Sequence, residues 1–531
     1  MASGRSAVRK WAWLSLTAVA LVVFLAAMVE LGRLDAGDPP HFDVMLPGGL
    51  PVTLYLPPGA PVPTGRPIPD PPSEAARPPV VVLAHGFTAD RLMMGTLARW
   101  IADAGYGVVA LDFSGHGANR NPFPGLSTAS ALADDLGRVV QFVRQSPYVD
   151  GTRIVVMGHS MGAGAVTDFA SREPELAGLV AISGGWQILG PETPPNALFI
   201  FAEKDTTTVR ATAVRLATRL TGERRIEPGR TYGEFAARRA VLALEMPGED
   251  HLSMIRSPAA AREIVGWLDH VFERQRPAPP TFVDPRLPVA GVGLLAALVL
   301  LAGIGAAVGR LAPAGAARPA VGGIGALLAL AVVLLTTMPL LAMGSPMTFL
   351  GLEVGDLTLA HMSLAGVAWL GALALTGRLD RAAWQPGAAR SAICGGLGFV
   401  AVYALFVPLG VVFHRLTPTP ERLAVLVGAA LAILPFFLAF ELGLRRGGPF
   451  TAALLGLDGR VVLLGVTWLG IRIGVFPQVM ILLLPLFAAG FVLVEIVAVA
   501  IYASSRNVIA IACFEALWVA WATAATMPIR W

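Results

Sequence analysis

Charge is scarce in this 531-residue chain: Asp, Glu, Lys and Arg together make up 14% of it, against roughly a quarter in an average soluble protein. Lysine is nearly absent, with Lys10 and Lys204 alone, so the small net charge of +4 rests on arginine. No basic tract with interleaved aromatics occurs, which argues against nucleic acid as a partner. Cysteine is scarce too. Cys394 and Cys513 both fall inside apolar runs, and that excludes a disulfide framework for the polar part of the chain. No group of His, Asp and Glu has metal-ligand spacing and no glycine-rich phosphate loop occurs, so no metal or other cofactor is implied.

In place of charge the chain carries apolar residues, 55% of the total, with a mean hydropathy of +0.65. They are unevenly spread. Residues 32–287 have the composition of a soluble domain, whereas 1–31 and 288–531 are membrane-like. Trp11 to Leu31 forms a first apolar run behind Arg5, Arg9 and Lys10. It is longer than the core of a secretory signal and lacks a small-x-small site before Asp35, so it reads as an uncleaved signal anchor.

The C-terminal part divides into eight further runs, at 288–308, 321–343, 357–377, 392–413, 423–443, 461–476, 478–502 and 508–528. The sixth is short and contains Arg472. With the N-terminus in the cytoplasm, the inner loops hold Arg310, Arg318, Arg378, Arg381, Arg390, Arg445, Arg446, Arg460 and Arg506. The outer ones hold Arg415, Arg422 and Arg472 with the acids Glu353 and Asp356. That bias fits a multi-pass cell-membrane protein of nine spans, N-terminus inside, with 32–287 outside the cytoplasm.

Within 32–287 two short strands, 41–46 and 52–56, flank Pro47-Gly48-Gly49-Leu50-Pro51, a hairpin signal. A Pro-rich loop spans 57–79. Strands at 80–84, 108–112, 153–157, 178–183, 197–202 and 241–246 then alternate with helical stretches at 91–104 and 130–145 and after the later strands. Continuous apolar strands separated by helices predict an α/β fold with a mostly parallel sheet covered on both faces. Reacting groups in such sheets sit at the carboxyl ends of strands.

One of those ends carries Gly158-His159-Ser160-Met161-Gly162, a G-x-S-x-G run between the apolar strand and a small-residue helix start, Ala163-Gly164-Ala165. A serine on such a turn stands exposed above the sheet, but its hydroxyl needs a base and a group that orients the base. Strand 197–202 runs into Glu203-Lys204-Asp205, and strand 241–246 into Gly248-Glu249-Asp250-His251. The predicted trio is Ser160, His251 and Asp205, with Glu203 and Asp250 as rival acids.

With His85-Gly86-Phe87 and Asp112-Phe113-Ser114-Gly115-His116-Gly117 added, the segment from about 41 to 275 resembles the α/β-hydrolase family, of the serine esterase type. The resemblance implies an α/β-hydrolase fold for that segment, which the apolar runs join to an all-α polytopic transmembrane domain. It implies backbone amides of Phe87 and Met161 as an oxyanion hole, a structural role for Asp112–Gly117, and no cofactor. His85, His116 and His159 are expected to be structural. The family usually has G-x-x-D at the acid turn, where this chain has Ala202-Glu203-Lys204-Asp205, which keeps Glu203 open. The activity implied is cleavage of a carboxylic ester or related acyl bond in a small-molecule or lipid substrate at the bilayer. A peptidase or amidase would use the same residues. The other alternative is a non-catalytic ligand-binding domain on a transporter-like or scaffold membrane part.

Two segments bear on access to the site. Gly184–Pro195 is too short for a helical lid, and Thr206–Ala240 either lines the site or covers the sheet. In the membrane part Glu441, Glu495, Glu515 and His361 lie in or at the ends of apolar runs, where ionisable groups face a bundle interior or a cavity. Packing between helices through Gly and Ala is the plainer role for those spans.

Overall fold

The computed structural model describes residues 2–60, 72–126, 129–185, 195–316, 322–343, 349–377, 379 and 387–531. The core of the Pro-rich loop and most of Gly184–Pro195 lie outside the described residues. The chain forms two compact units. One comprises Gly32–Leu287 together with Val411–Arg415 and Pro528–Trp531; the other comprises Met1–Leu31, Pro288–Gly410 and Leu416–Met527. Division of the sequence at 287/288 therefore differs from the structure at two short peptides, neither long enough to show a composition of its own.

The first unit is built on a nine-stranded sheet. Its strands are β1 (His41–Leu46), β2 (Leu50–Tyr55), β3 (Pro79–Ala84), β4 (Gly107–Leu111), β5 (Asp150–His159), β6 (Gly178–Ile182), β7 (Ala197–Ala202), β8 (Thr231–Tyr232) and β9 (Val241–Met246). They lie in the order β1-β2-β4-β3-β5-β6-β7-β9-β8. β1 and β2 form the hairpin, with Gly48 and Gly49 at φ +77° and +76° in its turn. Those left-handed angles are open to glycine at little cost. From β4 across to β9 all neighbours are parallel, while β8 adds an antiparallel edge.

The central strands are apolar on both faces because both faces are covered. Val80, Val82 and Ala84 of β3 point into one core with Leu136, Val140, Val166 and Leu216. These come from α3 (Ala129–Gln145), α4 (Met161–Ala170) and α5 (Thr207–Thr221). Val81 and Leu83 point into the other core with Leu97, Ile101, Ile264 and Leu268, from α2 (Gly95–Asp103) and α6 (Pro258–Val271). Strand periodicity of two thus divides one run of valines between two cores. The insertion Thr206–Ala240 supplies α5 and β8, and both pack on the sheet (β8 along the β9 edge).

The peptide at the chain's C-terminal end joins this unit through backbone bonds. The Phe123 amide donates to the Ile529 carbonyl at 2.6 Å, and the Ile529 amide to the Gly115 carbonyl at 3.0 Å.

The second unit is helical: α1 (Ala2–Ala36, whose last residues pass into the first unit), α7 (Arg286–Leu311), α8 (Gly323–Met343), α9 (Gly355–Leu375), α10 (Ala388–Phe413, whose last turn belongs to the first unit), α11 (Pro420–Leu444), α12 (Pro449–Arg472), α13 (Leu484–Ser505) and α14 (Val508–Thr526). Among the described residues, nine helices are long and apolar enough to cross a membrane. α12 corrects the sixth run, expected at 461–476. Asp458 and Arg460 depress the hydropathy of its first half, but the helix starts at Pro449, a favoured first-turn residue. Arg460 is consequently a mid-helix, buried residue and no longer counts as a loop charge.

Small residues set the closest helix approaches. A Cβ on Gly366 of α9 would lie 2.2 Å from the Phe436 nitrogen of α11, and one on Gly395 of α10 would lie 2.4 Å from the Ala510 carbonyl of α14. Van der Waals packing of this kind holds helices together where no hydrophobic force separates them from lipid.

Candidate active site

Ser160 occupies the turn between β5 and α4 at φ +54°, ψ −114°. A non-glycine residue rarely adopts a positive φ, and its cost of about 1–3 kcal/mol is borne by the surrounding structure. The flanking glycines make the turn possible. A Cβ on Gly158 would sit 2.3 Å from the Gly162 carbonyl, and one on Gly162 would sit 2.6 Å from the His85 carbonyl. The Ser160 amide donates to the Ile182 carbonyl of β6 at 2.9 Å, which ties the turn to the sheet.

His251 and Asp205, in the turns that follow β9 and β7, reach this serine. The His251 Nε2 lies 3.0 Å from Ser160 Oγ, and its Nδ1 lies 2.6 Å from Asp205 Oδ1. Asp205 also accepts from Ser183 Oγ at 2.6 Å and from the Ala202 amide at 2.9 Å, both on Oδ2. Burial alone would raise this carboxyl's pKa, but the bonds from His251, Ser183 and Ala202 hold it below the ordinary carboxylate range. An ionised Asp205 accepts from Nδ1–H, which leaves the Nε2 lone pair facing the serine hydroxyl.

The rival acids are placed elsewhere. Glu203 accepts the Gly248 amide at 2.7 Å and braces the turn before His251. Asp250 accepts the Leu252 and Ser253 amides, each at 2.9 Å, and so opens a short 3-10 turn.

Two buried histidines align backbone at the site. His159 Nε2 lies 2.8 Å from the His251 carbonyl. Only a donor can face that oxygen, so Nε2 carries the proton. Burial, with His251 nearby, pushes the His159 pKa down to about 3, and the ring stays neutral. His85 accepts the Phe113 amide on Nε2 at 3.0 Å, and its Nδ1–H therefore donates to the Gly86 carbonyl at 2.8 Å. In a trans peptide the carbonyl and the following N–H point opposite ways. The bond from His85 thus fixes where the Phe87 N–H is aimed. Gly86 packs against the serine turn, since a Cβ there would meet Ser160 Cβ at 3.2 Å. The second amide expected at an oxyanion hole, Met161 N–H, belongs to the first residue of α4, where helical amides lack intrahelical partners.

Asp112 acts as the structural hub expected of its motif. It accepts the Arg91 and Ala118 amides, each at 2.8 Å, and pairs with the Arg91 guanidinium. The His116 ring lies 6.1 Å from that of Phe87, at the edge of the site.

Sequence reasoning missed Ser183 and the peptide 411–415. Ser183 offered one signal, a small polar residue followed by Gly184 at a strand end. His414 Nε2 donates to the Thr88 carbonyl at 2.8 Å, and the Arg415 amide donates to Asp90 Oδ2 at 2.6 Å. Burial would raise the Asp90 pKa, but His414 and the Arg415 amide hold it below the ordinary range. Thr88, next to Phe87, has φ +61°. No local pattern marks a residue 326 positions away as its partner.

Residues 76–228 match the Hydrolase_4 family, described as serine aminopeptidase, S33. Gly32–Leu287 has the α/β-hydrolase fold. The chain is 33% identical over 105 residues to a monoacylglycerol lipase of Mycolicibacterium smegmatis, covering 20% of this chain and 37% of that one. It is 30% identical over 99 residues to the uncharacterized protein Rv2307c of Mycobacterium tuberculosis, covering 19% and 34%. The chain therefore spans little more than a third of the length of these two curated relatives. Among solved structures, an esterase from Thermogutta terrifontis aligns with 44% of this chain and 99% of its own, at 16% identity and a TM-score of 0.32. Among the described residues no group of His, Cys, Asp and Glu is arranged to hold a metal ion.

Proposed function

We propose that this protein is a membrane-bound serine hydrolase that cleaves a carboxylic ester or related acyl bond outside the cytoplasm. The single observation that carries the reading is the bonded series Ser160 Oγ, His251 Nε2, His251 Nδ1 and Asp205. His251 takes the hydroxyl proton as Ser160 Oγ attacks the acyl carbon, and Asp205 stabilises the imidazolium that forms. The amides of Phe87 and Met161 donate to the oxyanion of the tetrahedral intermediate. When the intermediate collapses, His251 returns the proton to the departing alcohol. A water then repeats the sequence on the acyl-enzyme, restores Ser160 and releases the acid.

A fluorophosphonate probe tests this directly. The wild-type chain is expected to label at Ser160, and Ser160→Ala to remain unlabelled. A folded wild-type chain that does not react would refute the enzyme reading and favour a ligand-binding role. A second reading, an amidase or peptidase on the same triad, is favoured by the name of the matched family, serine aminopeptidase. Matched ester and amide substrates separate the two.

With the buried Arg422, Arg445 and Arg460 set aside, the side of the membrane is supported by the cations between spans or at their ends, Arg310, Arg318, Arg378, Arg381, Arg390, Arg446 and Arg506 within against Arg415 and Arg472 without. Protease access to 32–287 in spheroplasts tests it, and protection there would reverse the orientation. Acyl esters of graded chain length, presented in micelles, would define the substrate class.

A further inference from the structure

The helical unit contains a group of ionisable side chains that the hydrolase chemistry does not use. Glu441 on α11, Arg445 directly after it, Arg460 on α12, Glu495 on α13 and Glu515 on α14 meet in the interior, and none is more than 4% exposed. Arg445 pairs with Glu441 through two bonds, Nε to Oε2 at 2.7 Å and Nη2 to Oε1 at 2.8 Å. It also pairs with Glu495, with Nη2 to Oε2 at 3.1 Å, and donates from Nη1 to the Ala452 carbonyl at 3.2 Å. Arg460 bridges Glu495 and Glu515 and lies over the Phe440 ring at 5.2 Å. Arg445 Nη2 is 3.9 Å from Glu515 Oε1.

The charges do not balance: three carboxylates face two guanidinium groups. A surplus charge sealed inside a bundle of apolar helices is costly, and a titratable group in that position takes up a proton instead. Geometry selects which carboxyl does so. Both oxygens of Glu441 and both of Glu495 contact a guanidinium nitrogen, whereas Glu515 Oε2 has no hydrogen-bond partner among the described residues, with Glu515 itself 0% exposed. The close fit adds to this, because a Cβ on Gly456 would already lie 2.8 Å from Glu495 Oε1 and 2.9 Å from Arg445 Nη1. Among the described residues the charged groups facing Glu515 are those four: Glu441 from α11 and Arg445 at its end, Arg460 from α12 and Glu495 from α13. Asp458, the one acid on α12, is exposed.

We propose that Glu515 is a proton-binding site of the helical unit, holding one proton at neutral pH so that the five-residue group is neutral overall. Loss of that proton leaves a net negative charge shared by α11, α12, α13 and α14, and any rearrangement of these helices that opens the group to water favours its release. The unit is thereby a proton-responsive element, and its site is a carboxylic acid whose contacts among the described residues are on Oε1.

The test is infrared spectroscopy of the full-length protein in detergent at neutral pH. Wild type is expected to show the carbonyl stretch of a protonated carboxylic acid, Glu515→Asp to show it at a shifted frequency, and Glu515→Gln to lose it. Gln is an isostere of the neutral acid, so this variant is expected to keep the wild-type melting temperature. Absence of the band from folded wild type would overturn the proposal. So would an unshifted band in Glu515→Asp, a reading that stands even if Glu515→Gln does not fold. Stabilisation by sodium over choline that depends on Glu515 would also overturn it and identify a metal cation as the occupant. Fluorophosphonate labelling of Ser160 in the same samples reads the hydrolase chemistry separately.

Discussion

Asp205→Asn is the substitution that most sharply tests the reading of the hydrolase site. The side chain keeps its size and can still bond Ser183 and the Ala202 amide, which now hold Asp205 Oδ2 at 2.6 and 2.9 Å. The change falls on the other oxygen. Where Asp205 Oδ1 accepts from His251 Nδ1–H at 2.6 Å, an amide nitrogen would donate. His251 would then carry its proton on Nε2 and point a donor at Ser160 Oγ, which leaves no base for the hydroxyl. Loss of the right tautomer costs about ten-thousandfold in turnover in triads of this geometry. That equals about 5.5 kcal/mol of transition-state stabilisation, at about 1.36 kcal/mol for each factor of ten. The assay is the rate of fluorophosphonate labelling and of ester turnover in full-length protein, with Glu203→Gln beside it. Glu203 braces the 248 turn, so its variant should retain activity within about tenfold, the loss of one hydrogen bond to a charged group. A small effect of Asp205→Asn with a large one of Glu203→Gln would refute the assignment of the acid.

Asp205 also predicts a sign for stability against pH: its folded pKa is depressed, so its contribution is present above the unfolded carboxyl value near about 3.9 and is lost as pH falls through the lower folded value. The melting-temperature gap between wild type and Asp205→Asn should therefore close only below about pH 4. His159 acts in the same sense over a higher pH window. The unfolded chain binds its proton below about pH 6.5 and the folded chain only near 3, so acid removes stability at about 1.4 kcal/mol per pH unit between those values. His159→Gln, which can still donate to the His251 carbonyl, should melt less steeply with acid than wild type; an unchanged slope would refute the buried neutral ring. His414→Ala removes the donor to the Thr88 carbonyl beside Phe87. A net loss of about 1 kcal/mol predicts roughly fivefold slower labelling, seen in kcat with KM little changed. An equal loss confined to KM would place His414 in substrate binding instead.

The parallel sheet was legible because its strands are apolar runs without a polar break, as in Val80–Ala84 and Ile154–Met157, with turn residues bounding them. The serine turn was legible for a related reason, since its glycines are required by contacts of 2.3 and 2.6 Å that no other residue type would survive. The acid was less so. Glu203, Asp205 and Asp250 all lie in short turns at strand ends, and only the three-dimensional path of those turns brings Asp205 Oδ1 to His251. Ser183, His414 and Arg415 act through single bonds across long separations, which leave no periodic trace in the chain. In the helical unit the hydropathy rule failed at α12 because Arg460 is paired inside the bundle, and a paired ion lowers the mean hydropathy of a span without ending it.

The hydrolase unit is not contiguous in the chain, and this bears on how the protein is made. Val411–Arg415 is synthesised at the junction of α10 and α11, and Pro528–Trp531 after α14. Most of the sheet can form while the ribosome is still producing α7, since domains generally fold as units during synthesis. The amide of Phe123 and the carbonyl of Gly115, however, wait for Ile529, and Asp90 waits for the Arg415 amide. The loop beside Phe87 therefore reaches its final bonding only after α10 has been made, and the Gly115–Phe123 loop only after α14. A nascent chain released early would carry the serine turn but lack these supports, so completion of the α/β unit is timed by synthesis of the helices that follow it.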